Sequence, residues 1–177
     1  MEYPQNIPSN MVMTGPLLPE NNDEIEDDIK DWLEKGSPVI YVSLGTLSSP
    51  DKKQLIEIAE GLNIAGYRVL WVVRKVIQEK LPNLNEHFKV INWVKNPRSI
   101  LAHPKVKLFV SHCGVNSINE AISCEKPILG IPMFAAQRDM GYRLLDSGAG
   151  LLVDKNEIKA ETIRERASKL INNLSYK

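Results

Sequence analysis

The stretch "FVSHCGVNSINEA", Phe109 to Ala121, gathers His112, Cys113, Gly114, Asn116, Ser117 and Glu120 where an apolar strand hands over to a helix. A helix beginning near Val115 leaves its first backbone N–H groups without partners and carries a partial positive charge. Anions bind at such ends, phosphates above all. Gly114, with no Cβ, lets a ligand approach the backbone closely, and Asn116 and Ser117 add side-chain donors in the first turn. At 100° per residue, Ile118, Ala121 and Ile122 share the face turned to a core, while Asn116 and Glu120 fall on the opposite one. A carboxylate aimed at the phosphate would repel it; aimed further out, it accepts hydrogen bonds from sugar hydroxyls. Phosphate at the tip and hydroxyls one turn up describe the ribose-phosphate portion of a nucleotide. Each residue has a plainer reading. Asn and Ser are ordinary caps, Glu complements the dipole, and a lone histidine is more often structural. One cap needs one side chain, and here there are four.

The elements around this stretch decide whether it stands at a binding edge. "PVIYVSLGT", Pro38 to Thr46, is a β-branched and aromatic run ending near a glycine, as a buried parallel strand does. Ser49, Pro50 and Asp51 open a helix with Leu55, Ile58, Ala59 and Leu62 at helical spacing. Further strands are expected in "YRVLWVV", "KVINW", "VKLFVSH", "PILGIPM" and "GLLVD". Helices are expected around Arg98 to Ala102, Val115 to Ser123, Gln137 to Ser147 and Ala160 to Asn172. The acidic segment from Asn21 to Glu34 predicts a surface helix around Ile25, Ile29, Trp32 and Leu33. Strands alternating with helices at this pitch predict right-handed βαβ units and an α/β doubly wound parallel sheet, Rossmann-like. Ligands of such sheets sit beyond the carboxyl ends of the strands. Both "SHCGVNS" and "SLGTLSS" fall at that edge.

Of the 177 residues, 43% are hydrophobic, enough for one domain with its own core. Lys plus Arg equals Asp plus Glu, 22 each, which removes a global electrostatic case for nucleic acid or an anionic membrane surface. Cys113 and Cys124 make neither a disulfide framework nor a zinc site. No stretch is long and apolar enough to span a membrane. The opening "MEYPQNIPSNMVMTGPLLPE", with Pro4, Pro8, Pro16 and Pro19, reads as a linker from a preceding domain. Residues 1–20 are therefore expected to be linker and 21–177 a domain of a longer protein. One sequon, Asn173-Leu174-Ser175, is a weak pointer to secretion.

Trp93, then "ILAHPKVKLFVSHCGVNSINEAI", "KPILGIPMFAAQ" and the closing "LINNLSYK" resemble the C-terminal half of the family 1 UDP-glycosyltransferases, which have the GT-B fold. The resemblance runs from "MTGPLL" through "VSLGT" to the last residues. It implies that Trp93 stacks on the uracil, and that His112, Gly114, Asn116 and Ser117 hold the diphosphate. Thr46 would touch the phosphate from the other side, Glu120 would take the ribose hydroxyls, and Gln137 would contact the donor sugar. Two departures stand out. Lys95 and Asn96 replace the family's usual Pro-Gln after the tryptophan, and Ala136 replaces the usual acidic residue before the glutamine. Asp139 is a solvated charge on the reading of its position.

The function implied is transfer of a sugar from a UDP-sugar to a small lipophilic acceptor, with inversion and without metal or other cofactor. The catalytic base of such enzymes is a histidine of the N-terminal acceptor-binding domain, so this chain is expected to hold no catalytic base and to bind UDP without turnover. An animal-type member would sit in the endoplasmic reticulum membrane with lumenal catalytic domains, this portion being soluble. A second reading is a natural stand-alone donor-binding subunit that pairs with a separate membrane-bound acceptor subunit. A nicotinamide-binding domain is disfavoured: "SLGTLSS" is no Gly-x-Gly-x-x-Gly turn, and Arg74 stands where an acid would follow the second strand.

Overall fold

A computed structural model describes residues 6–18, 24–46, 50–64, 66–173 and 176. Among the described residues, six parallel strands form one sheet: β1 (Val39–Ser43), β2 (Arg68–Val72), β3 (Phe88–Ile91), β4 (Val106–Ser111), β5 (Ile128–Gly130) and β6 (Gly150–Leu152). Their spatial order is β3-β2-β1-β4-β5-β6. Seven helices among the described residues connect and flank them: α1 (Asp27–Glu34), α2 (Lys52–Leu62), α3 (Lys75–Gln78), α4 (Pro97–Ala102), α5 (Val115–Ser123), α6 (Ala135–Asp146) and α7 (Ala160–Asn172). The doubly wound parallel sheet expected from the alternation is the architecture found.

Period-2 alternation along the strands sorts the core into two sides. Ile40 and Val42 join Leu55, Ile58, Leu62 and the α7 residues Ile163, Ala167 and Leu170 on one face. Val39 and Tyr41 join Ile29, Leu33, Ile100, Leu101, Ile118 and Ala121 on the other. Because both faces are covered, β1 and β4 read as continuous apolar runs rather than alternating ones. β1 pairs with β2 on one side and β4 on the other. The order of connection reverses there, and the crevice beyond the carboxyl ends of β1 and β4 is where such sheets bind ligands.

Within the expected surface helix, α1 covers Asp27–Glu34 and keeps Asp27, Asp28, Lys30, Asp31 and Glu34 exposed. Its Ile29 and Leu33 are buried in the core. What docks it is Arg68, whose guanidinium donates to the carbonyl oxygens of Trp32, Leu33 and Ser37 and lies 4.2 Å from the Trp32 ring centre. It satisfies the open carbonyls at the end of α1, a role invisible in sequence because the partners lie over thirty residues away. Ile122, expected on the core face of α5, is 36% exposed. α3, one turn long, has no periodicity to reveal it. Ser49, Asn21 and the sequon residues Leu174 and Ser175 lie outside the described residues.

α7 closes one side of the molecule by clasping α2. Glu57 Oε2 accepts the Ala160 N–H at 2.7 Å, capping α7, and Arg164 donates to the Glu60 carbonyl at 2.7 Å. Gly61 makes the close crossing possible: a Cβ there would stand 2.7 Å from both the Ala160 carbonyl oxygen and Ile163 Cβ. Gly to Ala in a helix usually adds up to about 1 kcal/mol of stability, but here the clash with backbone outweighs it. Gly61→Ala is expected to destabilise by about 1–3 kcal/mol, read as a lower urea midpoint with unchanged slope; an unchanged or higher midpoint contradicts this account of the crossing.

Candidate functional site

His112 follows β4 directly, and its imidazole is wedged between two glycines. A Cβ on Gly45 would lie 2.6 Å from His112 Nε2, and one on Gly114 would lie 2.5 Å from the same atom. Gly45 also has φ +76°, which a side chain would strain. The ring therefore fills the space that the missing side chains leave, bridging the loop after β1 and the turn after β4. This adds to the sequence reading of Gly114: its lack of a Cβ accommodates the histidine before it accommodates any ligand. Gly45 was not singled out from sequence, and the glycine ending the first strand was the signal that could have found it. Burial lowers the His112 pKa below the usual imidazole value, opposed by the Ser43 backbone.

Between these residues Cys113 takes φ +64°, a left-handed conformation uncommon for a residue with a side chain. Two contacts hold it. Its N–H donates to Ser111 Oγ at 3.2 Å, and its thiol is fully buried against Gly130, where a Cβ would meet Sγ at 2.4 Å. Burial pushes the thiol up to about 12, so Cys113 is an inert core group that anchors the turn.

The turn delivers the chain into α5 with Gly114 as N-cap and no side-chain cap. The N–H groups of Val115, Asn116 and Ser117 donate to no group among the described residues. The starts of α2 and α4 are closed by side chains, whereas α1 and α6, like α5, have no side-chain cap. Asp51 and Gln54 form a reciprocal capping box on α2, Asn96 Oδ1 caps α4, and Gln137 Oε1 accepts from Met133 and Phe134 N–H at 2.8 and 3.1 Å ahead of α6. Asn116 and Ser117 therefore do not act as the caps that their types allow. They surround an open, electropositive helix end, Asn116 exposed and Ser117 half-buried.

Glu120 stands one turn up α5, half-buried; burial raises its pKa, and Arg98 of α4 pulls it back. Arg98 is a neighbour that the sequence reading missed. Trp93, just past β3, is 67% exposed, while Val94 beside it is buried. The indole borders a slot of 160 Å³ whose floor includes Tyr41 and Ser43 and whose rim reaches Gly45 and Thr46. Val72, Val73 and Arg74 close it from the end of β2. Thr46, Trp93, His112, Gly114, Asn116, Ser117 and Glu120 thus share the carboxyl edge of the sheet, around its switch point.

Gln137 is partly committed: two backbone N–H donors can only meet its oxygen, so its carbonyl end is turned to the start of α6. Ala136 is exposed, and Asp139 pairs with Arg143 at 3.1 Å on the surface of α6. Asn96 caps α4, and the Lys95 N–H donates to Glu26 Oε1 at 2.7 Å, so the unusual loop after Trp93 is tied down by its own contacts. His87 directly precedes β3, and His103 ends α4 three residues before β4, so both stand at the opposite edge of the sheet. Among the described residues, no group of three or more His, Cys, Asp or Glu could hold a metal, and no helix is long and apolar enough to cross a membrane. A larger hollow of 360 Å³ between α6 and β6 contains none of the predicted site residues.

The model of the family described as UDP-glucoronosyl and UDP-glucosyl transferase matches residues 1–177. Among curated proteins, the chain is 28% identical over 186 residues to UDP-glycosyltransferase 1 of Phaeomoniella chlamydospora, covering 99% of the chain and 39% of that protein. It is 29% identical over 181 residues to UDP-glucuronosyltransferase 3A1 of Xenopus laevis, covering 100% of the chain and 34% of that protein. The chain thus spans between a third and two-fifths of the length of these relatives. Among solved structures, Os79 from O. sativa in complex with UDP matches at TM-score 0.72 and 29% identity, over 84% of this chain and 35% of that one. A variant of Os79 in complex with UDP matches at TM-score 0.77 and 29% identity, over 88% and 38%.

Proposed function

Because the chain belongs to the family of UDP-glucoronosyl and UDP-glucosyl transferases, we propose that it is the donor-binding domain, residues 21–177 after a linker at 1–20, of an enzyme that transfers a sugar from a UDP-sugar to a small lipophilic acceptor with inversion. The observation carrying this is the open N-terminus of α5 beside an imidazole held between two glycines. The diphosphate lies there, against the N–H groups of Val115, Asn116 and Ser117, with Thr46 opposite. The base enters the slot beside Trp93, stacking on the indole. Glu120 accepts hydrogen bonds from the ribose hydroxyls. The donor sugar extends toward α6, where Gln137 offers Nε2 and Ala136 offers nothing.

In this arrangement the domain stabilises the leaving UDP by helix dipole and fixed donors, aimed where negative charge develops, and needs no metal. The base that deprotonates the acceptor comes from the acceptor-binding domain, since His112 is engaged at the phosphate and the other two histidines stand at the far edge. UDP is expected to raise the melting temperature of this chain by mass action, with uridine giving little shift at equal concentration. Equal shifts from the two ligands would remove the diphosphate from its leading place.

A further inference from the structure

The two nitrogens of His112 have unlike surroundings. Nδ1 is buried without a well-formed hydrogen bond, and the backbone acting on the ring is that of Ser43. Nε2 faces the gap between Gly45 and Gly114, beside the open end of α5. A neutral imidazole carries one proton for two nitrogens. With the proton on Nδ1, as in rings that donate to a backbone carbonyl, Nε2 turns a bare lone pair toward the phosphate position. With the proton on Nε2, the bare lone pair is that of the buried Nδ1, which has no donor to meet. Only the imidazolium donates on both sides. In the free protein that form is opposed by burial and by the positive end of α5. A diphosphate reverses the second effect and supplies the acceptor.

Resting on the donor reading above, we infer that binding of a UDP-sugar takes up one proton at His112, which is neutral in the free protein and an imidazolium against the bound diphosphate. The other titratable groups nearby are accounted for. From β1, Tyr41 is buried and its phenol is pushed above its ordinary value. From its own turn, Cys113 is a neutral thiol directed into the core. From α5, Glu120 stands one turn away with Arg98 of α4 acting on it. Asp51 at the head of α2 is engaged in its capping box, and Arg74 borders the slot. None of these groups contributes to the shift at His112.

The test is calorimetry of this chain with UDP-glucose, whose diphosphate has no proton to gain or lose near neutral pH, in Pipes and in Tris, which differ in ionisation enthalpy. The expected result is an apparent enthalpy that differs between buffers by close to one proton per ligand. Affinity should fall by up to about tenfold per pH unit as pH rises past neutrality. His112→Gln keeps an amide donor that does not titrate and should bind with equal enthalpy in both buffers. Glu120→Gln should keep the buffer difference. Nitrogen NMR of His112 in the wild type gives a reading that needs no variant: an Nδ1-protonated neutral ring in the free chain and an imidazolium in the complex. Binding of UDP-glucose with equal enthalpies in the two buffers overturns the inference and leaves the donor site standing. No binding of UDP-glucose or UDP at any pH overturns both.

Discussion

Gly114→Ala is expected to lower the affinity for UDP by about ten- to more than a hundredfold. The added Cβ would stand 2.5 Å from His112 Nε2, so the imidazole must leave its place between the two loops. Losing one hydrogen bond to a charged group costs about 1.5–3 kcal/mol, and each ~1.4 kcal/mol is a factor of ten. The backbone at the start of α5 is also the surface against which the phosphate would lie, so the methyl obstructs the ligand directly as well. Cys113→Ala is the matched comparison one residue away. It removes a thiol packed against Gly130, and should cost about 1 kcal/mol of stability as a small cavity. Its UDP affinity should change by no more than about twofold. Titrating both variants with UDP decides the matter: a greater loss of affinity in Cys113→Ala would mean that the turn is held for packing and not for the ligand.

Removing the Glu120 carboxylate should have the second largest effect. Glu120→Ala is expected to weaken UDP by about ten- to a hundredfold, from loss of charged hydrogen bonds to the ribose. Arg98 offers a competing account, because it acts on the same carboxylate and could make Glu120 a tie between α4 and α5. The ligand 2′,3′-dideoxy-UDP separates the two. Wild type should bind it weakly, and Glu120→Ala should hardly distinguish it from UDP. A variant that still discriminates between them as wild type does would leave Glu120 as the partner of Arg98 alone.

Much of the sheet was legible because central parallel strands, covered on both faces, are near-continuous apolar runs, and the six strands among the described residues lie close to their predicted places. α5 and α7 match their expected limits because amphipathic period and turn residues agree there. What stayed hidden depended on contacts across the fold. Arg68 does not announce that it will close α1, nor Glu57 that it will cap α7 from more than a hundred residues away. At the site, the residue types around the strand-to-helix turn pointed to an anion before any geometry was known. Their division of labour did not: Gly45 and Gly114 make room for an imidazole, Cys113 pins the turn from below, and Gln137 spends its oxygen on its own helix.

The clasp between α2 and α7 also sets the order in which this chain can become a protein. Every predicted site residue has left the ribosome by Gln137, yet one face of the sheet still lacks its second helix at that point. Until Ala160 to Asn172 emerges, Leu55, Ile58 and Leu62 lack the apolar partners Ile163, Ala167 and Leu170 that seal them in the native molecule. Contacts of such long sequence separation form late, and the apolar surface exposed meanwhile invites aggregation. A nascent chain whose emerged part stops before Ala160 would carry the whole anion-binding edge and still offer chaperones an apolar flank, which the thirteen residues of α7 then cover.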